Sequence, residues 1–317
     1  MNFTTKIPIA KFNFPIDYSA RIVSLGSCFA ENMGEKFDYY KFQSTTNPFG
    51  IIFNPVAIEK IIARAIHLNY FTENELFFHN ELWHCYEVHS DLSHPNKEQM
   101  LSNLNRLVTE MNSKLAAATH LYITYGTTWV YQLKPTRVVV ANCHKVAQDQ
   151  FEKHLLSVNE IETAIQNSID LIQKFNPTCQ VVFTVSPVRH IKDGFIENQR
   201  SKANLISTLH TSIANIPLAS YFPSYEIVMD ELRDYRFYDQ DLLHPNAVAI
   251  DYIWERFCES SVTQEAQQIM QEVESIQKGM AHRPFHPEST SHTKFLQKLK
   301  EKSAQLEAQF PFMKFSL

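Results

Sequence analysis

Several things are missing from this sequence, and each absence narrows what the chain can be. It has no C-x-x-C pair: its five cysteines, at 28, 85, 143, 179 and 258, are odd in number and widely scattered, which argues for reduced thiols rather than a disulfide framework. It has no basic excess, since 29 lysines and arginines face 34 acidic residues for a formal net charge of −5. No phosphate-lined partner such as nucleic acid is therefore expected. No window approaches the roughly 18 apolar residues of a membrane span, and "MNFTTKIPIAKFNFPIDYSA" contains no continuous apolar signal core. A cytoplasmic protein in a reducing compartment is the expectation. Repeats and low-complexity tracts are absent as well. What is present is ordinary: 317 residues, 44% hydrophobic and 20% charged, enough for one large core with an appendage.

Short β-branched runs alternate with helical spacing. "RIVSLG" (21–26) reads as a strand that ends at Gly26, and Phe29, Ala30, Met33 and Phe37 then recur at helical intervals. A second strand is expected near 42–46. Asn54 as N-cap and Pro55 as first helical residue open the next helix. The aromatic, histidine-rich stretch 75–94 reads as an inserted hairpin or loop. Beyond it the pattern predicts a helix over 96–118, a strand over 120–127, a strand over 137–142 and a helix over 160–175. Then come a strand over 180–187, a helix over 198–215, a strand over 224–230 ("SYEIVMD") and a helix over 246–260. This alternation predicts parallel strands joined by helical crossovers, a three-layer α/β fold. Residues 1–261 form the α/β domain, with its insert at about 75–95. Residues 262–317 form a helical extension of two polar, weakly amphipathic stretches around a proline-containing break, expected to pack on the domain, on a partner or on a second copy.

In open α/β sheets ligands bind outside the carboxyl ends of the strands, so the residues just after each predicted strand are the candidates. They are Ser27, Gly50, Gly126-Thr127-Thr128, and Ser186 through His190. Near the end, "YDQDLLHPNA" sets Asp241 and His244 three apart. A serine needs a base to attack, and a histidine needs a carboxylate to fix its tautomer. For "SLGSCFAEN" three readings stand side by side: Ser27 as nucleophile, Cys28 as a thiolate lowered at a helix N-terminus, or a tight turn with Ser27 as N-cap. His79, His84, Cys85, His89 and His94 are metal-ligand residue types without zinc spacing. They read instead as a rim whose Trp83 and Tyr86 would suit a sugar or acyl group. Asn142 and His144 are further pocket candidates. Arg189, His190 and Lys202 are positioned to hold a carboxylate or phosphate, or to pair with Glu226 and Asp230.

The letters G-S-C-F-A in "LGSCFAEN", together with "NPFGIIFNP", "SPVRHIKDGFIENQRSKANL" and "YFPSYEIVMDELRDYRFYDQDLLHPN", resemble the GSCFA family over roughly residues 20–255. That family is similar to the SGNH hydrolases, serine esterases and deacylases on a flavodoxin-like sheet. The resemblance implies Ser27 as nucleophile, Gly50 in the second block, and Asp241 with His244 as acid and base. It implies a small-molecule or glycan acyl ester as substrate, and it requires no cofactor or metal. The third block departs from the pattern. Where G-x-N-D is expected the chain has Gly126-Thr127-Thr128-Trp129, so Thr128 stands in the place of the oxyanion asparagine. Asn47 or Asn142 is expected to supply the missing amide, beside the backbone N–H groups of Ser27 and Gly50. A ligand-binding protein on the same fold is the rival expectation.

Overall fold

The computed structural model describes residues 5–315. Strand β1 (Arg21–Gly26) passes through Ser27 into helix α1 (Cys28–Tyr39), followed by β2 (Gln43–Thr46) and α2 (Pro55–Ile66). A hairpin, β3 (Leu76–His79) and β4 (Leu82–Cys85), precedes α3 (Lys97–Ala117) and β5 (His120–Tyr125). Then come β6 (Trp129–Leu133), β7 (Val138–Val140) and β8 (Phe151–Leu155), followed by α4 (Val158–Phe175), β9 (Gln180–Val185), α5 (Phe195–Ile213) and β10 (Ala219–Tyr221). The chain closes with α6 (Ser224–Glu226), α7 (Ala247–Ser261), α8 (Gln264–Ala281) and α9 (Thr290–Gln309).

Five of these strands pair in parallel in the order β10-β9-β5-β1-β2. Counted in chain order within the sheet this is 2-1-3-4-5, the flavodoxin-like arrangement, whose switch point lies between the first and third strands. Here those are β1 and β5. Alternation along the strands builds two cores. Val23, Leu25, Leu121, Ile123, Val181 and Phe183 face α2 through α5, while Ile22, Tyr122 and Val182 face α1, α7 and the C-terminal helices. The sheet thus lies between two helical layers.

Capping explains where several helices start. Asn54 accepts from the Ala57 amide at 2.9 Å. Ser157 and Glu160 form a reciprocal capping box that opens α4. The C-terminal helices fold back on the domain rather than projecting from it: Met270, Val273, Ile276, Leu299 and Leu306 are buried in the same core as Phe37 and Trp254.

Two expectations need correction. Residues 224–230 are not a strand: they form α6 and a π-helical turn over Ile227–Glu231, and the edge strand is the short β10 just before them. The buried Tyr225, Val228 and Glu231 recur every third residue, a helical period hidden within an apparent alternation. The strand expected at 137–142 shortens to β7, and it belongs not to the main sheet but to a separate antiparallel sheet, β7-β6-β8. The insert does contain the expected hairpin, β3-β4.

Candidate active site

The end of β1 is held by long-range backbone bonds. Asn47, itself in the left-handed region at φ 44°, accepts from the Gly26 amide through Oδ1 at 2.8 Å, and its own amide donates to the Ser24 carbonyl at 2.9 Å. The Ile52 amide returns to the Gly26 carbonyl at 3.1 Å. Gly26 has φ 148°, and a Cβ there would run into the Thr124 carbonyl oxygen. Only glycine fits that crossing of β1 over β5. Ser27 follows, 1% exposed, as the N-cap of α1. Its Oγ accepts from the Phe29 amide at 3.3 Å and its own N–H donates to the Thr124 carbonyl at 3.1 Å.

The second element is local. Asp241 Oδ2 meets His244 Nδ1 at 2.5 Å, while Asp241 Oδ1 accepts the amides of Leu243 and His244 at 2.8 and 3.0 Å. Those amides, then the imidazole, hold the Asp241 carboxyl down to about 2. The aspartate thus orients the ring through Nδ1 and leaves Nε2 to act. Both side chains are 45% exposed. Asn246, N-cap of α7, pins the loop through the carbonyls of Arg236 and Tyr238.

Lys202 is 0% exposed, on the apolar stripe of α5 with Leu205 and Leu209. Its ammonium donates to the Gly126 carbonyl at 2.7 Å and the Ser186 carbonyl at 2.6 Å, tying together the carboxyl ends of β5 and β9. Burial is the largest cause that brings it down to about 7; Cys28 opposes this and Arg189 adds to it. His190 is also driven down, to about 3, first by burial and then by Lys202 and His244. Among the described residues its Nε2 is buried without a partner, and it lies against Gly126. At neutral pH this imidazole is uncharged.

The expected oxyanion donors are mostly engaged elsewhere. The Gly50 amide donates to the Asn47 carbonyl at 2.8 Å, and a Cβ on Gly50 would strike His89. The Ser27 amide is taken by Thr124, as described. Thr128 is fully buried, and its amide and hydroxyl both donate to Ser201 Oγ, at 2.8 and 3.1 Å. Asn47 braces the Ser27 turn with Oδ1, and its Nδ2 faces Glu31 at 3.5 Å. Asn142 receives the His144 amide at 2.8 Å and lines a cavity of about 250 Å³ with Phe53, Trp129, Tyr131 and His190. No hydrogen bond joins Ser27 Oγ to His244 among the described residues.

Burial raises the Cys28 thiol above its ordinary value, which opposes a thiolate. In the insert His84 binds Ser93 Oγ and the His79 carbonyl, and the pocket candidate His144 binds the Cys85 carbonyl. Tyr86 stacks on Phe77 at 4.1 Å and Trp83 lies beneath Lys97. Trp129 and Tyr131 of β6 line the cavity that Asn142 shares, and the antiparallel sheet that carries them was not legible in the pattern. The Ser201 anchor was missed too, although Lys202 was detectable as a lysine three residues before Leu205 on an apolar stripe.

The chain thus carries Ser27 at the switch point of a flavodoxin-like parallel sheet and an aspartate–histidine pair on the loop before α7. The family profile described as "GSCFA family" matches residues 21–257, and a second, "GSCFA domain protein, C-terminal domain", matches 273–317. The chain belongs to the GSCFA family. No curated protein matches it.

Proposed function

We propose that this protein is a serine esterase, or a transferase of the same chemistry, acting on O-acyl esters in the manner of the SGNH hydrolases. The observation that carries the reading is the Asp241–His244 pair, its imidazole fixed through Nδ1 at 2.5 Å on the loop before α7. His244 Nε2 takes the Ser27 proton as Oγ attacks the ester carbonyl, and the same proton passes to the leaving alkoxide. The resulting acyl-enzyme is resolved by water, or by an acceptor hydroxyl in a transfer. Asp241 stabilises the imidazolium.

Attack requires Ser27 Oγ to leave its capping position. That motion releases the Phe29 amide, one of the first-turn N–H groups of α1 with no intrahelical partner, beside the positive end of the helix dipole. The oxyanion is then held by the helix N-terminus rather than by the Ser27 and Gly50 amides. Hydrogen bonds of this kind are often long or unmade without substrate and tighten in the Michaelis complex. The cavity beside Gly126, walled by Trp129 and Tyr131, suits the face of a sugar ring or a short acyl group.

Hydrolysis of 4-nitrophenyl esters from acetyl to hexanoyl tests the reading. Turnover by the native chain that disappears in Ser27→Ala and in His244→Ala supports it, and equal turnover in either variant refutes it. The engaged amides of Ser27 and Gly50 favour one rival, a binding protein that has kept the fold. No turnover on any ester, with glycan affinity unchanged in His244→Ala, would establish that rival.

A further inference from the structure

We infer that the cavity beside the Asp241–His244 loop is an anion subsite, and that the ester this protein takes carries a carboxylate or phosphate group seated on Arg189 with an apolar segment next to it. The inference rests on the esterase reading for its link to turnover but not for the binding itself. The cavity, of about 470 Å³, is lined by Arg189, Met229, Tyr235, Asp241 and Leu242 among others, within the size range of small-ligand sites.

Arg189 stands outside the ion pairs made around it. Arg233 pairs with Asp230 at 2.7 Å, Arg236 with Asp234 at 3.0 Å, and His244 with Asp241 at 2.5 Å. Glu226, the other expected partner of Arg189, is held by the Tyr221 hydroxyl at 2.9 Å through both oxygens. Among the described residues, the Arg189 guanidinium makes one side-chain hydrogen bond, to Met229 Sδ at 3.1 Å, and no ion pair. A guanidinium stays charged at any physiological pH and presents a planar fork of donors that matches a carboxylate or phosphate. A thioether satisfies little of that capacity.

Two further observations make this a ligand site rather than a stray surface charge. Arg189 lines the cavity together with Asp241, Leu242 and Leu243, so an anion there lies against the loop that carries the imidazole. At the cavity mouth Phe195, Tyr235 and Leu242 are exposed large apolar side chains. A cation at one end of an apolar trough recognises an amphiphilic anion.

Calorimetric titration of the full chain with hexylphosphonate, hexanoate and hexanol tests the inference. Both anions are expected to bind more tightly than the alcohol, and Arg189→Gln to weaken them at least about tenfold, with Arg189→Lys intermediate. The tighter of the two anions identifies phosphate or carboxylate as the group recognised. Hexanol binding as well as the anions, or unchanged affinity in a folded Arg189→Gln, overturns the inference. Assaying ester turnover of the native chain beside the titration separates the two proposals: Arg189-dependent anion binding by a native chain that hydrolyses no ester refutes the catalytic reading and leaves the subsite standing.

Discussion

The turn that carries Ser27 and the loop that carries Asp241 and His244 are built in opposite ways. Ser27 is 1% exposed, in a knot tied by residues from β5 and from the segment after β2. Asp241 and His244 are each 45% exposed, and their side chains are fixed by hydrogen bonds spanning no more than three residues. Long-range closure makes the first region rigid and intolerant of change. Local closure lets the second orient an imidazole while its side chains remain in solvent. Backbone damage to the first should therefore be read out as lost folding, and side-chain damage to the second as lost chemistry.

The sharpest break in that contrast would come from Gly26→Ala. With φ at 148° and the Thr124 carbonyl in the way of a Cβ, the substitution should destabilise by about 3 kcal/mol or more in urea unfolding. A near-native midpoint would show that the turn is looser than described.

Next in size is acid sensitivity. Burial lowers His190 to about 3 and His144 to about 4. Below an ordinary histidine value the unfolded chain therefore binds protons that the folded chain refuses, and stability falls as pH falls from about 6.5. Each imidazole should contribute about 2 kcal/mol of loss between pH 7 and pH 5. His190→Gln and His144→Gln should each flatten the curve; an unchanged slope in both contradicts the burial account.

Lys202 has the same sign in a higher window. With its folded value near 7, the unfolded chain binds the extra proton up to about pH 10. Native stability should therefore rise between pH 7 and 10. Lys202→Met removes that rise and leaves the Gly126 and Ser186 carbonyls without their buried donor, a loss of about 1–3 kcal/mol at pH 7. Thermal unfolding across pH checks both effects. The smallest change in stability belongs to the exposed loop. His244→Ala and Asp241→Asn should shift unfolding by only about 0.5 kcal/mol, while ester turnover falls by about 10³ or more.

Where the chain was legible, a local cause was at work. The β-branched runs at β1, β5 and β9 are buried on both faces and read as continuous apolar segments, and Asn54-Pro55 marks a helix start by cap chemistry alone. Ser27, Asp241 and His244 were likewise visible, the last two because their bond closes within one turn of sequence. The short β10 was not, because three residues carry too little pattern against the helical spacing beside them. The state of the oxyanion donors was hidden for a different reason. Whether Thr128 and the Gly50 amide are free depends on Ser201, 73 residues away, and on a turn at Asn47. Lys202 announces its burial through its stripe, but its two carbonyl partners come from separate strand ends that only the folded sheet brings together.

The central claim, that Ser27 is the nucleophile and His244 its base, is tested most directly by fluorophosphonate labelling of the intact chain, with the modified peptide located by mass spectrometry. The account predicts a single phosphonylated residue at Ser27, no label in Ser27→Ala, and much slower labelling in the folded His244→Ala variant. Equal labelling of native protein and Ser27→Ala, or a modified site elsewhere, would contradict it.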